Sequence, residues 1–279
     1  MKKLLLLAAA LLAGLLLFTR HGAGEAQPRP APAVLVVSGS NTMAPLVQAM
    51  ARRFEQQHAG VRVDVGDSNS SRGLADVRAG QAQVAMVSRM LRGDEQDLRY
   101  LPIARDGLAL VVHADNPVTS LSHAQVAAIY SGRVTNWKPL GGRDEPILSI
   151  APARGEHGSP ALVAQHFKLP LEQLRAQHTV GDNAERLQAV QAHRNAIAFV
   201  SVGEAERSRQ AGAALRLLAD EDIAATSRNV ARGDYPLVRP LGLVTRGQPG
   251  ALSQAFIAFC ASSQVTDLIV AHGFVPYLD

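Results

Sequence analysis

"SGSNTMAPL", Ser38 to Leu46, joins an extended run to a helix through small polar residues. It follows the short apolar run 34–37 and leads into Ala44–Gln57, where Leu46, Val47, Met50 and Phe54 share one helical face. A strand therefore passes through a turn of small hydroxyl residues directly into a helix. The order then repeats: "VRVDV", 61–65, alternates with period two, 73–79 is expected as a short helix and Val84–Val87 as another strand. Strands alternating with helices imply α/β architecture, with a mostly parallel sheet covered on both faces.

A second series follows. "GLALVVH", 107–113, is a strong strand ended by the Asp115, Asn116, Pro117 turn, and Ser122 caps a helix running through Ile129 to Gly132. Strands are expected at 147–150 and 197–200, with helices from Pro160 and over 184–192. "YPLVRPLGLV", 235–244, is extended, and 251–261 and 265–271 are helical. No short internal repeat is present.

Upstream, Lys2 and Lys3 precede the apolar run 4–18, and small residues surround an expected cut after Ala26. That is the layout of an export signal over 1–26. The run is shorter than the roughly 20 residues of a spanning helix, although an uncleaved anchor is the alternative. No cysteine follows it, which argues against a lipid anchor. "QPRPAPA", 27–33, is a proline-rich linker. The formal charge of +4 falls to +2 once three positive residues and one negative leave with the signal, and the basic residues are scattered. Nucleic-acid binding is not indicated. Cys260, the only cysteine, sits among Phe256, Ile257 and Phe259 as a small buried hydrophobe, so no intrachain disulfide can form.

Three strand-to-helix junctions share one chemistry: "SGSNTMA" at Ser38, "DSNSSRGL" at Asp67 and "ARGEHGSPAL" at Ala153. A helix start leaves backbone N–H groups unpaired and carries the positive end of the dipole, so small hydroxyl residues there let an anion approach several donors. Ser159 before Pro160 fits an N-cap followed by proline at the first helical position. Any one such turn is ordinary capping; three together point to an oxyanion pocket. Arg154 and Arg72, each in one of these turns, and Arg89 at a strand end are candidate cationic partners, and His157 is a candidate donor whose charge varies near neutral pH. No phosphate loop, "HExxH" or nucleophile elbow is present, and the nine histidines show no metal-like spacing. No catalytic residue, metal or cofactor is assigned.

These stretches resemble the periplasmic phosphate-binding component of high-affinity phosphate ABC importers, a type II periplasmic binding protein family. The likeness runs from about Val34 to Pro276: "SGSNTMAPL", "SNSSRGL", "GQAQVAMVSRML", "DGLALVVHADNPV", "LSHAQVAAIYSGRVTNWKPLGG", "RNAIAFVSVG", "NVARGDYPLVRPLGLV" and "HGFVP" match in order. The resemblance implies two α/β lobes joined by two hinge crossovers, lobe 1 from 34–107 with 239–279 and lobe 2 from 108–238. It also implies a monomeric periplasmic or secreted protein that carries inorganic phosphate in the interlobe cleft to an inner-membrane permease. Implied ligand contacts are Ser40, Thr42, Met43, Ser70, Arg72, Arg89, Arg154, His157, Gly158 and Ser159. Two positions depart from the pattern. His157 stands for a serine, and Arg89 stands where some members carry an aspartate that accepts the proton of phosphate. A site of donors alone loses a reason to reject sulfate, unless Asp67, Asp106 or Glu156 supplies the acceptor. The alternatives are another oxyanion such as sulfate, a sensing or secretion role without an importer, and, less favoured, a phosphate-releasing hydrolase or a purely structural secreted protein.

Overall fold

The computed structural model describes residues 31–152 and 159–277. The segment expected to be an export signal, most of the expected linker, Arg154, Glu156, His157 and Gly158 lie outside the described residues. Ala33–Asp279 forms one compact unit.

The first series runs β1 (Ala33–Ser40), α1 (Ala44–Gln57), β2 (Val61–Ser68), α2 (Ser70–Arg78) and β3 (Val84–Val87). The long strand β4 (Leu98–His113) leads to β5 (Ser120–Leu121), α3 (His123–Tyr130), β6 (Leu148–Ala151), α4 (Ser159–His166) and β7 (His178–Thr179). Next come α5 (Asn183–Ala192), β8 (Ala196–Ser201), α6 (Val202–Gln210), β9 (Leu215–Leu217), β10 (Ala219–Asp220) and α7 (Ser227–Arg232). The chain closes with β11 (Val238–Arg246), α8 (Ala251–Cys260), α9 (Thr266–Ala271) and β12 (Val275–Pro276).

One sheet has the order β2-β1-β3-β11-β4-β8-β6-β7, with β9 and β12 also on β4. It is parallel at both ends, where β1 joins β2 and β3 and where β6 joins β7 and β8. In the middle it is antiparallel: β11 opposes β3 and β4, and β4 opposes β8. The return strand, absent from a purely parallel reading, thus sits at the centre of the sheet.

β4 serves two cores. Its first half pairs with β11, and its second, from Leu108, pairs with β8 and β9. On the β11 side, Leu35, Val37, Met50, Phe54, Phe256 and Cys260 pack into one buried cluster. On the β8 side, Val111, Tyr130, Trp137, Phe199 and Val190 pack into another. Burial pushes the Cys260 thiol well above its usual range, so it stays a neutral hydrophobe. Among the described residues no single helix is long and apolar enough to cross a membrane.

α1 matches its sequence limits because its buried stripe is complete: Ala44, Leu46, Val47, Met50, Ala51 and Phe54 face the core. β4 begins nine residues earlier than its apolar run suggests. Pro102 interrupts that earlier half, and a register shift at Leu241/Gly242 opposite it leaves room for a residue that cannot donate to the ladder.

Candidate functional site

Between the two cores lies a cavity of about 40 Å³. By the measure in which one water needs about 10–15 Å³, it holds one small anion and not a sugar. Among the described residues it is lined by Ser40, Asn41 and Thr42 after β1, Asn69, Ser70 and Ser71 at the start of α2, and Ser88 after β3. From the other side come Ser159 at the start of α4, Gly181, Arg186 of α5 and Arg239 of β11. No carboxylate is in this lining, and hydroxyls dominate it.

Ser40 is 2% exposed, and its Oγ has no hydrogen-bond partner among the described residues. A buried hydroxyl left unpaired costs about 1–3 kcal/mol, so its place on this cavity marks where a ligand oxygen belongs. Thr42 Oγ1 accepts from Asn183 Nδ2 and from an Arg239 terminal nitrogen, both at 3.3 Å. With both lone pairs engaged, its own hydrogen remains to be donated. Ser70 Oγ accepts the Ser88 backbone N–H at 3.1 Å and lies 3.4 Å from Ser88 Oγ. The helix starts of α1, α2 and α4 approach the same space, and their dipoles favour negative charge there.

Arg239 is fixed from behind. Its Nε and one terminal nitrogen donate to Asp106 Oδ2 at 3.0 and 2.8 Å, while Ser201 Oγ donates to Asp106 Oδ1 at 2.9 Å. Burial raises the Asp106 carboxyl, and the Arg239 guanidinium and the Ser201 hydroxyl oppose that rise. Arg186 donates to the Gly181 carbonyl and to Asn183 Oδ1. A second cavity adjoins the first through Asn41 and Thr42 and carries the carboxylates Asp67, Asp182 and Glu204. Burial raises the Glu204 carboxyl against a hydrogen bond from Asn183 and the nearby charge of Arg207.

Of the residues expected from sequence, Ser40, Thr42, Ser70 and Ser159 meet at this cavity. Ser159 is the first residue of α4 rather than the position before it. The other three described candidates lie off the lining. The Met43 side chain is fully buried in the β11-side core, and its N–H donates to the Ser40 carbonyl at 3.0 Å. Arg72 is exposed and reaches along α2 to Asp76 at 2.8 Å. Arg89 is held in a two-point pair with Glu95, both contacts at 2.7 Å. Its neighbour Ser88 takes the cavity position, as expected where side chains alternate across a strand end. Of the proposed acceptors, Asp67 faces the adjoining cavity and Asp106 stands behind Arg239.

Sequence reasoning missed Asn41, Asn69, Ser71, Ser88, Gly181, Arg186 and Arg239. Five of these stand within motifs quoted above for other reasons, Arg239 among them in 235–244; Gly181 and Arg186 carry no local signature.

The Arg89–Glu95 pair gives a direct test of its role. Burial alone would raise the Glu95 carboxyl, but Arg89 and the Arg92 backbone N–H hold it at about 2, against an ordinary 4.5. A depressed carboxyl adds stability that is complete above pH 4.5 and drains as pH falls toward 2. Arg89→Ala should therefore destabilise the fold by about 3–5 kcal/mol at neutral pH and flatten that acid limb, while anion affinity stays within about twofold. Urea melts across pH and calorimetric titration check both; a large affinity loss in a folded variant would return Arg89 to the site.

Comparison with known proteins places this architecture. A family model described as a PBP superfamily domain matches residues 26–264. The phosphate-binding protein PstS of Bacillus subtilis is 25% identical over 252 residues, covering 88% of this chain and 81% of its own. A Clostridium perfringens structure described as a phosphate ABC transporter substrate-binding protein with bound phosphate superposes with a TM-score of 0.79 at 26% identity, covering 88% of this chain and all of that one. An ABC-type phosphate transport receptor from Vibrio cholerae superposes at 0.72 with 28% identity, over 88% of this chain and all of its own. With sheet order, paired cores and a family model over most of its length in agreement, the chain belongs to the PBP superfamily.

Proposed function

We propose that this chain captures inorganic phosphate in the cavity between the two cores, outside the cytoplasm, and delivers it to the membrane permease of an ABC importer without chemical change. The observation that carries this reading is the buried Ser40 hydroxyl, without a partner among the described residues, on a small cavity whose described lining holds no carboxylate. The named relatives support phosphate as the anion and import as the setting. In this reading 34–107 with 239–279 and 108–238 act as two lobes of a monomer that close about β4 and β11, and the closed form is what the permease recognises. Ser40, Thr42, Ser70 and Ser159 donate to the anion, and Arg239 and Arg186 add positive potential; Arg154, His157 and Gly158, outside the described residues, are the further contacts that the family resemblance implies.

Sulfate is the second reading, favoured by the absence of a carboxylate acceptor in the described lining. Calorimetric titration of protein stripped of bound anion, with phosphate and then sulfate at neutral and mildly acidic pH, separates the two. Phosphate binding with no sulfate signal is expected, and silence toward phosphate overturns the proposal. Ser40→Ala removes one hydrogen bond to a charged ligand, worth about 1.5–3 kcal/mol, so the phosphate Kd should rise roughly tenfold or more. An unchanged Kd would remove Ser40 from the contact set.

A further inference from the structure

On the β8 side, away from the residues lining the anion cavity, the fold brings together two histidines and an aspartate that sequence spacing keeps far apart. His123 is the first residue of α3, His166 the last of α4, and Asp220 the end of β10. His123 Nε2 lies 2.8 Å from Asp220 Oδ1 and His166 Nε2 lies 2.6 Å from Asp220 Oδ2. One ligating atom from each of the three residues falls within 4.8 Å of the others. We propose that His123, His166 and Asp220 form a binding site for a transition-metal dication of the zinc type, with solvent completing the coordination.

The donor set selects the class of metal. Two imidazoles and one carboxylate suit zinc, cobalt, nickel or copper, whereas calcium and magnesium prefer oxygen alone. Bonds of about 2.0–2.1 Å in a tetrahedron put ligand atoms about 3.3 Å apart. The present separations straddle that value, so modest side-chain rotations accommodate an ion. Both imidazoles give up their Nε2–H contact to the carboxylate, and each ring keeps its proton on Nδ1 while Nε2 turns its lone pair to the metal.

Position and surroundings fit such a site. The Asp220 side chain is 4% exposed, His166 is 15% and His123 is 31%, so the cluster is anchored from within and open on one side to water. The ring of Phe167 stands edge-on to both imidazoles and walls the inner side. The backbones are held independently of any ion: Ser122 caps α3 with Gln125, and Asp220 exchanges backbone hydrogen bonds with Ile223. These observations stand apart from the anion cavity.

The test uses the full chain expressed with its own leader, without an affinity tag, in phosphate-free buffer after chelator treatment, with cobalt(II) as the probe. Saturable one-to-one binding with the intense visible bands of a four- or five-coordinate site is expected, together with one-for-one displacement by zinc. His123→Gln and His166→Gln should each weaken binding at least about tenfold, since even supporting residues of metal sites are worth that much. His178→Gln, at an exposed strand position, should leave binding intact. Urea melts show whether each variant folds. Absence of a saturable one-to-one cobalt complex in the parent chain, or full binding in folded His123→Gln, overturns the proposal.

Discussion

Arg239→Ala should destabilise the protein by about 3–5 kcal/mol at neutral pH, because it strands a buried carboxylate. Asp106 is 1% exposed, and two of the three side-chain hydrogen bonds it accepts among the described residues come from Arg239. Burial already pushes this carboxyl up, and losing the cation pushes it further. A carboxyl whose folded pKa lies above its unfolded value loses stability as pH rises from about 3.8 through that raised value. The variant should therefore recover part of its deficit as the pH falls from 7 to 5, and Asp106→Asn in the same background should restore part of it at pH 7. Phosphate affinity should fall as well, because Thr42 loses a donor that fixes its hydroxyl. Urea melts at the two pH values and calorimetry decide the matter: a variant as stable as its parent at pH 7 would show that Asp106 does not depend on Arg239.

The second large effect comes from one methyl group that never touches the ligand. Gly73 lies inside α2, where alanine ordinarily gains about 1 kcal/mol over glycine. Here an added Cβ would stand 2.7 Å from the Gly39 Cα and 2.7 Å from the Ser38 carbonyl oxygen. Both are backbone atoms, so no side chain can swing aside, and α2 must move off β1. Ser70 and Ser71 ride on α2, whereas Ser40 ends β1, so the shift pulls apart two walls of the cavity. Overpacking of this kind costs about 1–3 kcal/mol, enough to outweigh the helical gain. Gly73→Ala should thus lower stability and weaken phosphate binding at least about tenfold. A variant more stable than its parent, with the same Kd, would show that the α2–β1 contact is slack. Gly39, at φ +130° with its own missing Cβ facing the Met86 carbonyl, secures the other side of that approach.

What the sequence discloses follows the reach of its local signals. α1 and β3 were legible to the residue, because a complete apolar stripe and a run of four buried residues leave little choice. α6 and α7 were invisible, since α6 buries only Val202, Gly203 and Ala205 and α7 only Val230, too few to write a helical period. The same division holds at the site. Ser40, Thr42, Ser70 and Ser159 lie in strand-to-helix junctions that the sequence displays, whereas Arg239 arrives on a return strand and meets Thr42 across 197 residues of chain. Arg89 stands off the described lining for a local reason: one step along a strand end reverses the face, and on that other face it pairs with Glu95. The histidines of the cluster at Asp220 come from different elements and leave no spacing to recognise.

The central place of β11 governs how the molecule can come into being. β3 has its finished partner only when Met86 meets Leu243, and the β11-facing half of β4 needs the same late segment. As the chain is synthesised, β1, β2 and β3 emerge first and must keep an open sheet edge while the residues through Tyr235 are still being added. The inserted stretch from Leu108 onward already owns β6, β7, β8 and β9, so its core can condense while the earlier one waits. The core that begins first in the chain is therefore the one that closes last, and its sheet is sealed only by the final quarter of the sequence.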